Sequence, residues 1–155
     1  MVVACCQGYQ CETRRVTVTY STSTDGLTAD ALTGFFVGWP APPAPTTRVE
    51  ILQRSGQVVL ARDGGALVGF VTAITDGVLS AYIPLLEVVP AYQGRGIGTE
   101  LVRRVLAALD GLYMVDTACD QNLVGFYQRL GFERSNAMIR RDYAAQGGRA
   151  GSLTP

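Results

Sequence analysis

The sequence predicts a mixed α/β domain built on one central sheet, and three observations predict it. Runs of β-branched residues alternate or stay apolar over strand length, as in Val16-Thr17-Val18-Thr19-Tyr20 and residues 57–62. Asp63-Gly64-Gly65 and Asp76-Gly77 stand between such runs, where hairpin turns need residues that tolerate left-handed backbone. Other segments carry apolar residues at helical spacing, with capping residues before them and glycine or proline after.

The elements follow in order. Residues 16–20 read as a half-buried strand. Thr28 is placed to cap a helix whose Leu32, Phe35, Phe36 and Trp39 fall at i, i+3, i+4 and i+7, and Pro40, Pro42, Pro43 and Pro45 stop it. Thr47 with Glu50 forms a capping-box pattern for a short helix to about Arg54. Residues 57–62 and 66–75 flank the first turn. Residues 78–89 follow the second, with Pro84 implying a bulge or splay inside that strand. A loop over 90–98 leads into a helix with Leu101, Val102, Val105, Leu106 and Leu109 on one face. Residues 113–118 read as a buried strand. Asp120 caps a helix carrying Leu123, Phe126, Tyr127 and Leu130, and Gly131 ends it as a residue just past the C-terminus should. A last strand is expected over 137–141, giving the order β-α-α-β-β-β-α-β-α-β. Residues 1–15 show no period and read as a disordered leader, 16–143 as a single domain, and 144–155 as a flexible tail.

Composition narrows the chemistry. At 155 residues, 48% apolar and 17% charged, the chain can bury one sizeable core and is too apolar to stay disordered. Thirteen basic residues cancel thirteen acidic ones, which argues against nucleic-acid or anionic-membrane partners. No apolar run approaches the ~18 residues of a membrane helix. There is no histidine, so Ser-His-Asp and Cys-His nucleophile systems and imidazole-ligated zinc are excluded. All thirteen basic residues are Arg, which removes Schiff-base chemistry and the P-loop lysine. Carboxylates, Tyr, Ser/Thr, Cys, Arg and backbone groups remain. Cys5, Cys6, Cys11 and Cys119 suit neither a disulfide framework nor paired zinc spacing, so no metal site is expected. Val2-Val3-Ala4-Cys5 has the outline of a lipoprotein cleavage box but lacks a basic n-region and an apolar h-region, and a cytoplasmic protein is expected.

Gln93-Gly94-Arg95-Gly96-Ile97-Gly98-Thr99 lies between a strand and a helix. Glycines there let backbone N–H groups approach a ligand, and the helix N-terminus adds about half a positive charge, which suits a phosphate group. Rossmann G-x-G-x-x-G spacing fails because Leu101 stands where the third glycine is needed. The wider segment, Leu86 to Gly98, resembles the acyl-CoA motif Q/R-x-x-G-x-G/A of the GNAT superfamily of N-acetyltransferases, met by Gln93, Gly96 and Gly98. Phe126-Tyr127-Gln128-Arg129-Leu130-Gly131-Phe132 is similar to that family's second motif, and the element order is also the family's. The segment from Phe35 to Pro40 further resembles a group of small bacterial members.

The resemblance implies a sheet whose strand pair splays apart to hold CoA, with acetyl-CoA as cosubstrate and direct transfer to an amine in a ternary complex. It makes Leu86 and Val88 backbone partners of pantetheine. It places Gln93, Gly94, Arg95, Gly96, Ile97, Gly98 and Thr99 around the pyrophosphate. An amine attacking a thioester must be neutral, so a base or a water chain must take a proton. Glu87 is the candidate base, an isolated carboxylate in an apolar strand segment where an unused charge would be costly. Tyr127 is the candidate acid for the departing thiolate. Phe35, Trp39 and Tyr82, with Phe36 beside them, are candidates to line the acceptor mouth. The family often carries Asn seven residues before the motif tyrosine; here that position is Asp120, with Asn122 shifted by two, and a helix cap is the expected role. Without a histidine to activate it, Cys119 is expected to be an inert buried thiol. The acceptor is expected to be a small amine and the protein a monomer or homodimer. The alternatives are a protein or peptide acetyltransferase and a non-catalytic acyl-CoA-binding module.

Overall fold

The computed structural model describes residues 17–148. Five strands form one sheet in the order β1-β2-β3-β4-β5, from β1 (Val18–Ser21), β2 (Gln57–Asp63), β3 (Ala66–Thr75), β4 (Ser80–Val88) and β5 (Met114–Thr117). The first three pairings are antiparallel and β4–β5 is parallel. The parallel step needs a crossover, which α2 (Ile97–Ala108) supplies. Both hairpin turns fall where Asp63-Gly64-Gly65 and Asp76-Gly77 place them. Asp76 Oδ1 accepts from the backbone N–H groups of Val78, Leu79 and Ser80 at 2.9–3.0 Å, so this carboxylate builds a turn.

Two cores lie on the two faces. Period-2 alternation in β3 sends Val71 and Ala73 toward α2, where they meet Leu101 and Val105. Phe70 faces the other side, with Phe35, Phe36, Leu32 and Leu52. Of the expected stripe, Leu101, Val102, Val105 and Leu109 are buried and Leu106 is half-buried, and Ile97 joins them at the start of α2; each fully buried side chain contributes about 1.5–3 kcal/mol. Gly69 lets the α2 face come close: a Cβ there would stand 3.1 Å from both Glu87 O and Leu101 Cδ1.

The element order departs from expectation in five places. No helix spans 28–39. Only Asp30–Leu32 makes a 3-10 turn, and the chain then takes positive φ at Gly34, Phe36 and Gly38. The two glycines weaken the helix, and burying Phe35 and Phe36 on Phe70 replaces the helical stripe. Second, α1 (Pro45–Arg54) begins with Pro45 at its first position, where a missing N–H costs nothing, so the Thr47–Glu50 capping box does not form. Third, β5 is a half-exposed edge strand rather than a buried one, with Tyr113 beside it 82% exposed. Fourth, Asp120 offers no side-chain cap. A 3-10 turn over Gln121–Leu123 precedes α3 (Val124–Gln128) instead of one continuous helix. Fifth, 137–141 forms no strand. Met138 and Ile139 stay exposed, since a three-residue apolar run between Asn136 and Arg140 has too little face to bury.

The start of β1 at Val16 and the cysteines at 5, 6 and 11 lie outside the described residues. At the other end Gln146 Oε1 accepts from Ala41 N–H at 3.2 Å, so the chain docks back on the loop before α1. Among the described residues no helix is long and apolar enough to cross a membrane.

Candidate active site

The strand pair β4–β5 parts at one residue. Parallel pairing runs from Ser80↔Met114 to Ile83↔Thr117 and stops there. The next residue of β4 is Pro84, which has no N–H to give a ladder, and the β3–β4 register shifts alongside it. Beyond this point β4 keeps β3 on one edge and has no strand partner on the other among the described residues. Leu86 and Val88 send their side chains into the core under α2, so what they offer on the open edge is backbone.

The glycine loop lies beyond the end of β4. Gly94 and Gly96 have φ of 73° and 81°, a left-handed backbone that makes the sharp entry into α2. A Cβ at either would meet nothing within 4 Å, so both face open space. At Gly98 a Cβ would approach Leu86, Val88 and Phe126 at 3.8–4.0 Å, bringing the helix backbone close to β4 and α3. Ile97, 3% exposed, anchors the helix start, and Thr99 follows it half-buried. Gln93 Nε2 donates to Val88 O at 2.9 Å, tying the loop to the strand. Tyr92 O–H donates to Asp63 Oδ2 at 2.9 Å, and the Arg95 guanidinium lies 5.1 Å from the Tyr92 ring centroid. The first N–H groups of the twelve-residue α2 have no partner within the helix and are free to bind an anion. An open cradle of glycine backbone at a helix N-terminus fits the pyrophosphate of CoA.

Tyr127 stands at the fork. It is 7% exposed, with Phe126 and Phe132 packed edge-on at 5.0 and 5.4 Å. Its neighbours include Thr117, Cys119 and Tyr82, so the phenol meets the strands where they separate. Burial pushes its pKa above the usual tyrosine value, with the Thr117 hydroxyl opposing, so it stays protonated well past neutrality. Two bonds hold it in place. Phe132 N–H donates to Tyr127 O and Gly131 N–H to Gln128 O, the Schellman closure of α3, with Gly131 at φ 91°.

Glu87 pairs with Phe70 across β3–β4 and is half-buried on the face opposite α2. Its Oε2 accepts from Phe36 N–H at 3.2 Å. Burial raises its pKa above the ordinary carboxylate range, while the Phe36 N–H and the Arg48 cation oppose the rise. An open cavity of about 1820 Å³ runs from α1 across the fork to α3, with Trp39, Tyr82, Pro84, Leu85, Thr117 and Tyr127 in its wall. Glu87 lies two residues beyond Leu85, outside that wall. Trp39 and Tyr82 therefore face the cavity. Phe35 and Phe36, each 3% exposed, belong to the core, with Phe35 5.1 Å from the Phe70 ring.

The structure separates the other candidates. Cys119 is a free thiol exposed rather than buried, since it follows the half-exposed edge strand β5; Asp120 and Asn122 are exposed, and Asp76 is engaged in its turn. Among the described residues no group of three or more Cys, Asp or Glu could hold a metal ion. Sequence reasoning missed Thr117, whose Oγ1 donates to Ile83 O at 3.0 Å at the last paired step. It also missed Arg48, which nothing in the α1 sequence distinguishes from a solvated arginine.

Comparison with known proteins gives the family. The model of the acetyltransferase (GNAT) family matches residues 24–132. The chain is 34% identical over 113 residues to N-alpha-acetyltransferase RimI of Mycobacterium tuberculosis, covering 70% of each chain. It is 31% identical to serotonin N-acetyltransferase 2 of Oryza sativa subsp. japonica, over 76% of this chain and 62% of the length of that one. A crystal structure assigned as an acetyltransferase of Deinococcus radiodurans R1 superposes with a TM-score of 0.84 at 49% identity, covering 86% of this chain and 94% of the other.

Proposed function

We propose, from the premise that this chain belongs to the GNAT family of acetyltransferases, that it moves an acetyl group from acetyl-CoA to a small primary amine. Acetyl-CoA-dependent N-acetyl transfer is the activity; the acceptor and the residue roles are our reading. One observation carries it. The buried phenol of Tyr127 meets β4 and β5 where their pairing ends, on the same strand edge that leads to the open glycine cradle.

In this reading the cradle of Gln93, Gly94, Arg95, Gly96, Ile97, Gly98 and Thr99 holds the pyrophosphate. The open backbone edge of Leu86 to Val88 aligns the pantetheine arm. Glu87, directly or through water, takes the proton that an ammonium must lose before its nitrogen attacks. The C–N bond forms as the C–S bond breaks, Tyr127 gives its proton to the leaving sulfur, and the phenol regains one from solvent. The nitrogen gives up two protons in all, one to Glu87 before attack and one as the amide forms; in the sum one proton ends on the thiol and the other in solvent. The apolar and aromatic wall at Trp39, Tyr82 and Leu85 suits an amine with an apolar body.

A protein N-terminal amine is the second reading, favoured by the 34% identity to an enzyme named for N-alpha-acetylation. Thiol release from acetyl-CoA across matched panels of small amines and N-terminal peptides separates the two. Turnover of small amines is expected. Turnover confined to peptides moves the assignment to the second reading, and CoA binding with no turnover on either panel leaves an acyl-CoA-binding module.

A further inference from the structure

The loop between Leu32 and Pro43 takes a shape its own sequence does not favour. Phe36 sits at φ 60°, the one non-glycine with positive φ among the described residues. For an aromatic residue this backbone is strained, and it persists only where the surroundings impose it. Besides burying the Phe36 ring on Phe70, this backbone turns Phe36 N–H onto Glu87 Oε2 at 3.2 Å. Arg48, in the first turns of α1, grips the same loop. Its Nε donates to Pro43 O at 2.9 Å and its Nη1 to Leu32 O at 3.2 Å. Its guanidinium lies 5.2 Å from the centroid of the Phe36 ring. One side chain ties both ends of the loop and stacks on the residue whose backbone meets the carboxylate.

We propose that Arg48 is a positioning residue for the transfer reaction: by clamping Leu32, Phe36 and Pro43 it holds the Phe36 N–H on Glu87 and fixes the orientation of that carboxylate, two residues along the same strand face from Leu85 in the cavity wall. The inference rests on the reading of Glu87 as proton acceptor. A planar fork is needed, because two carbonyls and a ring face must be met at once, and a lysine ammonium cannot do all three. Of the groups that face Glu87, Phe70 from β3 and Phe36 from the loop carry no charge. Arg48 from α1 is the cation felt there, and it favours the ionised carboxylate against the effect of burial.

Arg48→Met and Arg48→Lys test this, read by amide exchange at Phe36, by the pH profile of kcat/KM for an amine, and by CoA titration. In Arg48→Met the Phe36 amide exchanges at least about tenfold faster. Amine kcat/KM falls about tenfold or more, as displaced reacting groups require. The acidic limb of the profile moves to higher pH and CoA affinity is unchanged. Arg48→Lys keeps the charge without the fork, so Phe36 exchange still quickens and the limb moves the same way but less far, because the Phe36 N–H is loosened while the cation remains. Unchanged Phe36 exchange and an unmoved limb in Arg48→Met overturn the proposal. So does a loss of activity matched by equal loss of CoA binding and melting temperature. Should Arg48→Met fail to fold, unchanged Phe36 exchange in Arg48→Lys overturns it alone. A fully active Glu87→Gln variant refutes the base assignment and not the clamp, which the exchange measurement reads independently.

Discussion

Replacing Tyr127 by Phe removes one oxygen at the fork of β4 and β5 and leaves the ring in its packing. The contacts at 5.0 Å to Phe126 and 5.4 Å to Phe132 need only the ring, and the two backbone bonds that close α3 are untouched. Thr117 Oγ1 keeps Ile83 O as its acceptor, so no polar group is orphaned. The stability change should stay within about 1 kcal/mol, the net worth of one hydrogen bond. For a domain of this size that is roughly 2–4 °C in Tm. The rate has more to lose. General acid help is typically worth about 10²–10⁴, which is about 2.7–5.4 kcal/mol of barrier at 1.36 kcal/mol per tenfold. Water can reach an open cavity and substitute in part, so the expected fall is at least about tenfold. Initial rates of thiol release at saturating acetyl-CoA, with a melt and a CoA titration on the same sample, read all three quantities. Because burial raises the Tyr127 pKa above 10.0, the midpoint of any alkaline loss attributable to this phenol should lie above that pH. A Phe variant with parental turnover, parental Tm and intact CoA binding would falsify the acid role and leave Tyr127 a core aromatic.

Glu87→Gln should slow transfer with CoA affinity intact, while Tm holds or rises. The raised pKa means the ionised carboxylate is disfavoured in the fold at neutral pH, and the amide can still accept from Phe36; a lower Tm at parental activity would reverse both assignments. For the same reason the acidic limb of the parent's kcat/KM should lie above the ordinary carboxylate value of 4.5, and a limb below it would contradict Glu87 as base. Gly96→Asp places a side chain and a negative charge in the open cradle, so calorimetric titration should show weakened CoA binding; unaltered affinity would make the loop a structural turn. Gly69→Val puts a branched side chain where even a Cβ is 3.1 Å from Glu87 O and Leu101 Cδ1, and overpacking of about 1–3 kcal/mol should lower Tm by several degrees. Asp76→Ala should leave transfer unchanged and lower stability at neutral pH. Three backbone N–H groups hold this carboxyl's pKa down, so its contribution is present above the ordinary 3.8 and fades as pH falls below it; a gap between parent and variant that persists in acid would refute the account.

What the sequence determined by itself is local. Turn chemistry placed Asp63-Gly64-Gly65 and Asp76-Gly77, helical periodicity placed the buried face of α2, and the glycines at 94 and 96 marked a strand-to-helix entry open to an anion. Gly131 marked the end of α3, and Pro84 marked the residue where β4 loses its partner. Each of these follows from the φ/ψ range, hydrogen-bonding capacity or side-chain period of a few neighbouring residues. Tertiary structure decided the rest. The stripe Leu32, Phe35, Phe36 and Trp39 reads equally as a helix face, but burial of two adjacent rings against Phe70 on β3, 34 residues further along for Phe36, favoured a strained loop over a helix. The short apolar run at 137–139 reads as the core of a last strand, yet a strand exists only where another edge pairs with it. Thr117 at the fork and Arg48 on the loop acquire their roles from elements distant in sequence. Which face Glu87 takes, and which backbone N–H meets it, depends on register between β3 and β4 and on a loop 51 residues earlier, and no local pattern encodes either.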